Sequence, residues 1–321
     1  MPVDQVAREA IKDPSAILPA HKIEMDDSGQ WIGPASHLAS ERERLSGLSF
    51  DHFDVRPVGV SLGAEISGLR LESKHSGEVI DEIRQALCSF KVLIFRDQPV
   101  TAEQHVSFAR CFGELEKHPF IPSNTQHPEL VRFEKSAEVA GYENQWHHDV
   151  TWRESPSMGA ILHAIEVPEV GGDTLFCDMH AAYMGLNEDL RNEIDGLFAI
   201  HDYMRAFGHQ VEQTEAAEMR QKFPEVIHPV VRTHPETQQR CLFLNRIFTR
   251  EIIDLEPEKS AALIHRLTAE SAYPEYQLRV KWEPDTLVFW DNRSVQHYAS
   301  SDYWPLTRIM ERASIVGDRP T

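Results

Sequence analysis

Past residue 50 the chain reads as short apolar runs divided by glycine and proline. The segment "FDVRPVGVSLGAEISGLRL" predicts brief strands joined by glycine turns. In "SGEVIDEIRQALCSF", Val79, Ile80, Ile83, Ala86 and Leu87 recur at helical spacing, which predicts an amphipathic helix. "KVLIFRD" has no polar alternation and reads as a strand buried on both faces. "TAEQHVSFARCFGEL" predicts a second helix, entered through Thr101 as its cap with Glu103 close behind.

The remainder is mostly strand-like. The runs are "GAILHAIEV", "DTLFCD", "VIHPVVRTH", "RCLFLNRIFT", "YQLRVKW", "DTLVFWD", "SVQHYAS" and "TRIMERASIVG". Helical inserts are expected near 181–197, 211–222 and 256–271. Many short strands with interspersed helices predict a β-sandwich or barrel core with helices packed outside it. Residues 1–50 differ in texture. Two short helical patterns, "DQVAREAIKD" and "SHLASERERLSGL", are interrupted by Pro14, Pro19, Gly29, Gly33 and Pro34. The expected division is an N-terminal extension at 1–50, as an arm or a tail, and one domain at 51–321.

Composition narrows the function. A net charge of -19 opposes a nucleic-acid or anionic-membrane surface, which needs clustered Lys and Arg. An anionic ligand would need a local basic pocket. The N-terminus shows no signal-peptide pattern, and no apolar stretch is long enough to span a bilayer. The four cysteines (Cys88, Cys111, Cys177, Cys241) are scattered, so reduced thiols in a cytoplasmic protein are expected.

The candidate chemistry begins at "QWHHDVTW", residues 145–152. Spacing alone carries little weight, since chance predicts about one His-x-Asp in a chain of this make-up, and there are two, at His52 and His147. The surrounding β-branched and aromatic residues predict a strand. Strand alternation would then put His147, Asp149 and Thr151 on one face, with His148 opposite. The competing pair His148-Asp149 belongs to helical metal-dependent phosphohydrolases, and a strand context counts against it. A third ligand is available downstream in "FWDNRSVQHYA", at His297. Two histidines and one carboxylate form a facial triad suited to iron(II) with open positions. In "TRIMERASIV", Arg308 and Arg312 share a strand face about 13 Å apart, a spacing that could serve two anions beside one metal.

These stretches together resemble the TauD/TfdA family of Fe(II)- and 2-oxoglutarate-dependent dioxygenases, nearest its taurine dioxygenase/alkylsulfatase branch. The resemblance runs from about residue 53 to 320 and includes "LIFRDQ", "FGELEKHP", "WHHDVTW", "GGDTLF", "LFLNRIFT" and "RIMERASIVGD" in the family's order. It implies a double-stranded β-helix (jelly roll) with flanking helices. It also implies His147, Asp149 and His297 as metal ligands, and Arg308 with Thr174 as the hold on the distal carboxylate of 2-oxoglutarate. Arg312, assisted by His118, would bind the substrate's sulfonate or sulfate, and Phe207 and Phe248 would wall its pocket.

The implied reaction consumes 2-oxoglutarate and O₂ and hydroxylates a small anionic organic molecule. From a sulfonate or alkyl sulfate it would release sulfite or sulfate and leave an aldehyde, a role in sulfur metabolism. A carboxylate substrate, such as an aryloxyalkanoate or a biosynthetic amino acid, is the alternative. A non-catalytic jelly-roll binding protein is a remote third. A homo-oligomer (dimer or tetramer) is expected. One departure bears on the substrate. Glu143 stands where the taurine enzymes carry an asparagine near the substrate amine, and Ile121 where they carry a tyrosine. Glu143 would either hold a cationic group or face solvent.

Overall fold

A computed structural model describes residues 23–25, 30–32, 35–119, 121–141 and 143–321. The pattern "DQVAREAIKD" lies outside them. A hairpin of β1 (Ile23–Met25) and β2 (Gln30–Ile32) precedes helix α1 (Leu38–Ser46). Strands β3 (Asp54–Pro57) and β4 (Ala64–Ser67) lead into helix α2 (Gly77–Phe90), strand β5 (Val92–Phe95) and helix α3 (Ala102–Arg110). Strands β6 (Leu130–Lys135), β7 (Gly159–Glu166) and β8 (Thr174–Asp178) follow, then helices α4 (Met179–Gly185) and α5 (Glu188–Ile194). Strand β9 (Phe198–His201) precedes the short helices α6 (Tyr203–Phe207) and α7 (Ala216–Lys222). Next come β10 (Val226–Pro229), β11 (Val231–Thr233), β12 (Arg240–Leu242), β13 (Thr249–Ile252) and helix α8 (Pro257–Thr268). The chain closes with β14 (Gln277–Val280), β15 (Leu287–Asp291), β16 (Val295–Ala299) and β17 (Arg308–Ile315).

Seven strands form one sheet in the order β3-β4-β5-β15-β7-β17-β6, antiparallel except for β4 beside β5. Against it lies a three-stranded sheet, β14-β8-β16. One apolar cluster fills the gap. Val92, Ile94, Ala160, Leu162, Val288 and Trp290 come from the large sheet, and Phe176, Leu278, Val280 and Val295 from the small one. The intervening residues Leu93, Phe95, Ile161, Leu287 and Phe289 turn to the other face, where α2 and α3 bury Ile83, Phe90, Val106 and Phe108 on them. The central strands are therefore apolar on both sides, which is why "KVLIF" and "TLVFW" show no alternation. Two facing sheets with outer helices make the predicted jelly roll. Among the described residues no helix is long and apolar enough to cross a membrane.

Outside the candidate site, local structure departs from the sequence expectation in these places. The cap of α3 is a full capping box, but Thr101 is answered by Gln104 and not Glu103. "VIHPVVRTH" is two strands: Val230 leaves the β10 ladder and pairs by its backbone with Leu197 and Phe243. "RCLFLNRIFT" is likewise broken, because the Asn245 side chain accepts the Phe248 amide at 2.9 Å and closes a turn between β12 and β13. In addition, β7 skips a residue against β17, with Ile309 opposite Glu166 and Met310 opposite Ala164. Ile165 is thus bulged out, while β17 pairs with β6 without interruption.

A buried lysine ties the layers together. Lys91 ends α2 in the left-handed region (φ 62°) and its side chain is 1% exposed. Its ammonium lies 3.0 Å from Asp178 Oδ2, 3.0 Å from the Ser61 carbonyl and 3.6 Å from Glu41 on α1. Asp178 also caps α4 through the amides of His180 and Ala181. Removing one partner of a buried pair strands the other charge. Asp178→Ala is expected to lower unfolding stability by about 3–5 kcal/mol, read from the urea midpoint. A loss below about 1 kcal/mol, the size of an ordinary cap effect, would contradict this role.

Candidate active site

His147 and His297 are joined by their main chains. His147 N donates to His297 O at 3.1 Å, and His297 N donates back to His147 O at 2.9 Å. This reciprocal pair docks the 145–152 segment on β16, but it is an isolated bridge and not a strand. The predicted strand over "WHHDVTW" is therefore incorrect. After one bridged residue the chain turns, and Val150 sits at φ 48°. The turn is held by the Asn292 side chain, which accepts the Asp149 amide at 2.8 Å and donates to the carbonyls of Asp149 and Ser157. His147 and Asp149 still reach the same side, through this turn and not through strand alternation. His148 goes the other way, fully buried 4.8 Å from the Phe243 ring, with neither ring nitrogen hydrogen-bonded among the described residues.

The donor atoms of His147, Asp149 and His297 lie within 4.8 Å of one another. Asp149 is 3.9 Å from His147 Nε2 and 3.8 Å from His297 Nε2. Bonds of about 2.0–2.2 Å to one ion bring such donors roughly 3 to 4 Å apart, so the trio could hold a metal with small adjustments. The Gln145 carbonyl, 2.8 Å from His147 Nδ1, can only accept. Nδ1 therefore carries a proton, and Nε2 is the nitrogen turned toward Asp149. Burial, then the neighbouring His147, pushes the His297 pKa down to about 3, so His297 is a neutral imidazole. Burial would raise the Asp149 pKa, but the charge and hydrogen bonds of Arg312 lead the effects that hold the carboxyl well below its usual range.

Two arginines of β17 enter the same space. Arg312 Nη1 sits 2.9 and 3.1 Å from the two Asp149 oxygens, and its guanidinium stacks over Phe133. Arg308 donates Nε to the Gly172 carbonyl at 3.1 Å and lies between the rings of Trp282 and Tyr303. A side chain at Gly172 (φ +72°) would press on Arg308 Cδ at 3.1 Å and on the Tyr303 ring at 3.2 Å, so glycine is required there. Thr174 Oγ1 accepts from Trp282 Nε1 at 3.0 Å. Arg308 Nη2 and Arg312 Nε are buried with no hydrogen-bond partner among the described residues. A buried guanidinium donor left unpaired is costly, and an anion would satisfy it.

Arg308, Thr174, His147 and His297 line an inner cavity between the two sheets. An outer cavity of about 1110 Å³ contains His118, Glu143, Asp149, Phe207 and Phe248 in its wall. Phe133, Lys135, Glu143, His147 and Arg312 belong to both. His118 accepts the Ile121 amide at Nδ1 (3.0 Å), which leaves its proton on Nε2. Burial and the charges of Arg312 and Arg153 lower its pKa to about 4. Glu143 already has a cation beside it, Lys135 Nζ at 2.8 Å, while 29% of its side chain stays exposed.

Sequence reasoning missed Lys135, Phe133 and the Asn292 brace. Only the partnership of distant strands brings them to the site, and no local pattern signals it. A second cluster, Cys88, His234 and Asp291, also has metal-like spacing. Its donors are committed. His234 Nδ1 accepts two amides, and its Nε2 donates to Asp291. Asp291 is further gripped by Arg293, and burial with nearby carboxylates raises the Cys88 thiol to about 12. His228 bonds to the carbonyls of Thr151 and Arg153, and Arg232 to Asp318, so both are structural.

Known proteins share this arrangement of the chain. The profile described as Taurine catabolism dioxygenase TauD, TfdA family, matches residues 54–314. An alkylsulfatase of Acinetobacter baylyi is 33% identical over 275 residues, covering 83% of this chain and 86% of that protein. A (S)-phenoxypropionate/alpha-ketoglutarate-dioxygenase of Sphingobium herbicidovorans is 33% identical over 278 residues, covering 83% of this chain and 96% of its own. Among solved structures, a putative alpha-ketoglutarate-dependent taurine dioxygenase from Burkholderia xenovorans superposes with a TM-score of 0.74 at 34% identity, covering 84% of this chain and 94% of that one. With fold, extent and sequence in agreement, the chain belongs to the TauD, TfdA family of dioxygenases.

Proposed function

We propose that this protein is an Fe(II)- and 2-oxoglutarate-dependent dioxygenase that hydroxylates a small organic anion, a sulfonate or alkyl sulfate, at the carbon bearing the sulfur group. The observation that carries this reading is the pair of unpartnered guanidinium donors, Arg308 Nη2 and Arg312 Nε, in cavity walls shared with the His147–Asp149–His297 trio. His147, Asp149 and His297 would hold iron(II), whose chemistry there is the activation of O₂ coupled to oxidative decarboxylation of the cosubstrate. The other roles belong to the chain. His147 Nε2, the neutral His297 and the ionised Asp149 face one another as ligands. Arg308, oriented by Gly172 and the flanking rings, takes the distal carboxylate of 2-oxoglutarate, with the Thr174 hydroxyl beside it. Arg312 and the Nε2–H of His118 take the substrate anion.

The sum is 2-oxoglutarate, O₂ and R–CH₂–X giving succinate, CO₂ and R–CH(OH)–X. Where X is sulfonate or sulfate, the hydroxylated carbon collapses to an aldehyde as the C–S or C–O bond breaks and sulfite or sulfate leaves. A carboxylate substrate is the second reading. It is favoured by the relative named for (S)-phenoxypropionate and by an outer wall rich in aromatic side chains. Succinate release across alkanesulfonates, alkyl sulfates and aryloxyalkanoates decides between them. Stoichiometric sulfite or sulfate supports the first reading, and turnover of carboxylates alone refutes it.

The ligand set has a direct test. His147→Ala and Asp149→Ala are expected to lower succinate formation by at least about 100-fold, beyond the loss typical of outer-shell changes. His148→Ala should keep its iron, and equal iron loss in all three variants would be inconsistent with the trio. The arginines separate by ligand. Arg312→Ala should raise KM for the anionic substrate at least about tenfold, or about 1.4 kcal/mol, with a smaller change for 2-oxoglutarate. Arg308→Ala should do the reverse, and a swapped pattern in steady-state kinetics would exchange the two roles.

A further inference from the structure

Lys135 lies in β6 directly opposite Arg308 of β17. Both side chains contribute to the inner cavity, so two cations stand side by side on one sheet face. Like charges at directly opposed positions repel. Glu143 answers this strain: its carboxylate sits 2.8 Å from Lys135 Nζ, with side-chain exposures of 10% for the lysine and 29% for the glutamate. Both residues belong to the inner and the outer cavity, so the pair stands at the junction between them. The outer wall also holds Asp149, engaged by Arg312, Glu134, paired with Arg132, and the exposed Glu215. Glu143, which lines the inner cavity, and Asp149, which grips Arg312 of the same wall, are thus each opposed by a cation.

We propose that the Lys135–Glu143 ion pair is a charge filter at this junction, admitting substrates with an uncharged tail and rejecting those whose tail carries an ammonium group. A carboxylate engaged by a partner at 2.8 Å gives little to a second cation. An incoming ammonium would have to displace Lys135, leaving that amine buried beside Arg308, or lose its own hydration without a counter-charge. An uncharged chain meets neither penalty. The outer cavity offers it Ile121, Phe133, Val150, Trp152, Phe207 and Phe248. The filter thus rejects the wrong tail as much as it attracts the right one. This inference deepens the proposed reading of the site and rests on the substrate anion lying at Arg312.

The test compares near-isosteric ligands that differ by one charge: propane-1-sulfonate against 2-aminoethanesulfonate, and butanoate against 3-aminopropanoate. Each is titrated by calorimetry into the anaerobic protein loaded with iron(II) and 2-oxoglutarate. The wild type is expected to prefer the uncharged member of a pair by at least about tenfold. Lys135→Met, with Lys135→Gln as the second variant, should shrink that ratio by about tenfold or more, because Glu143 is then unopposed. Adding Glu143→Gln to Lys135→Met should restore the preference. A ratio within one protein sample cancels losses of folded material, which a purely structural role would produce. An unchanged ratio in both Lys135 variants, or a shift that survives in the double variant, overturns the filter. Discrimination seen only in the carboxylate pair upholds the filter and refutes the sulfonate reading. Oxidation of both sulfonates at equal efficiency does the opposite. Failure of all four ligands to bind overturns both.

Discussion

Strands β5, β7 and β15 have apolar neighbours on both faces, the small sheet on one side and α2 with α3 on the other. Burying a charge without a partner is costly, so this stack can accept ionised groups only where its layers part. The polar residues of β6, β8, β16 and β17 gather at that opening, and both cavities lie there. The dry interior thus does more than stabilise the fold. It concentrates three cations, two carboxylates and two imidazoles into one small volume where each is solvated largely by the others.

Within that volume, neighbours determine protonation states more than intrinsic pKa values do. Asp149 stays ionised chiefly because Arg312 offsets its burial. His297 stays neutral because burial removes the water an imidazolium would need. His147 presents Nε2 because a carbonyl engages Nδ1. Each state follows from a group fixed by backbone structure: the His147–His297 bridge, the Asn292 brace and the β17 ladder.

Much of this was legible in the sequence. Strands packed on both faces advertise themselves as unbroken apolar runs, and α2 and α3 by helical spacing and a cap. The Arg308 and Arg312 face followed from strand alternation because β17 is a true strand. The same rule applied to "WHHDVTW" failed on structure. Valine and tryptophan favour strands, but here they are buried at a turn, and Val150 adopts a left-handed backbone conformation that β-branched residues rarely enter. Tertiary hydrogen bonds from Asn292 override that local preference. The break at Val230 escaped notice for a related reason, since it depends on backbone partners far along the chain, whereas the one at Asn245 is a local side-chain turn inside an apolar run. Lys135 was invisible because its significance lies in its cross-strand position opposite Arg308.

The bulge at Ile165 divides the backbone support of the two arginines. Beyond it, β17 continues its ladder with β6 but changes register against β7, and Arg308 lies on the far side of that step from Arg312. A bulge increases local twist. The two guanidinium groups therefore share a strand face but not its support: β6 and β7 both flank Arg312, whereas Arg308 pairs with β6 alone. A change confined to the end of β7 would leave the ladder partner of Arg308 untouched.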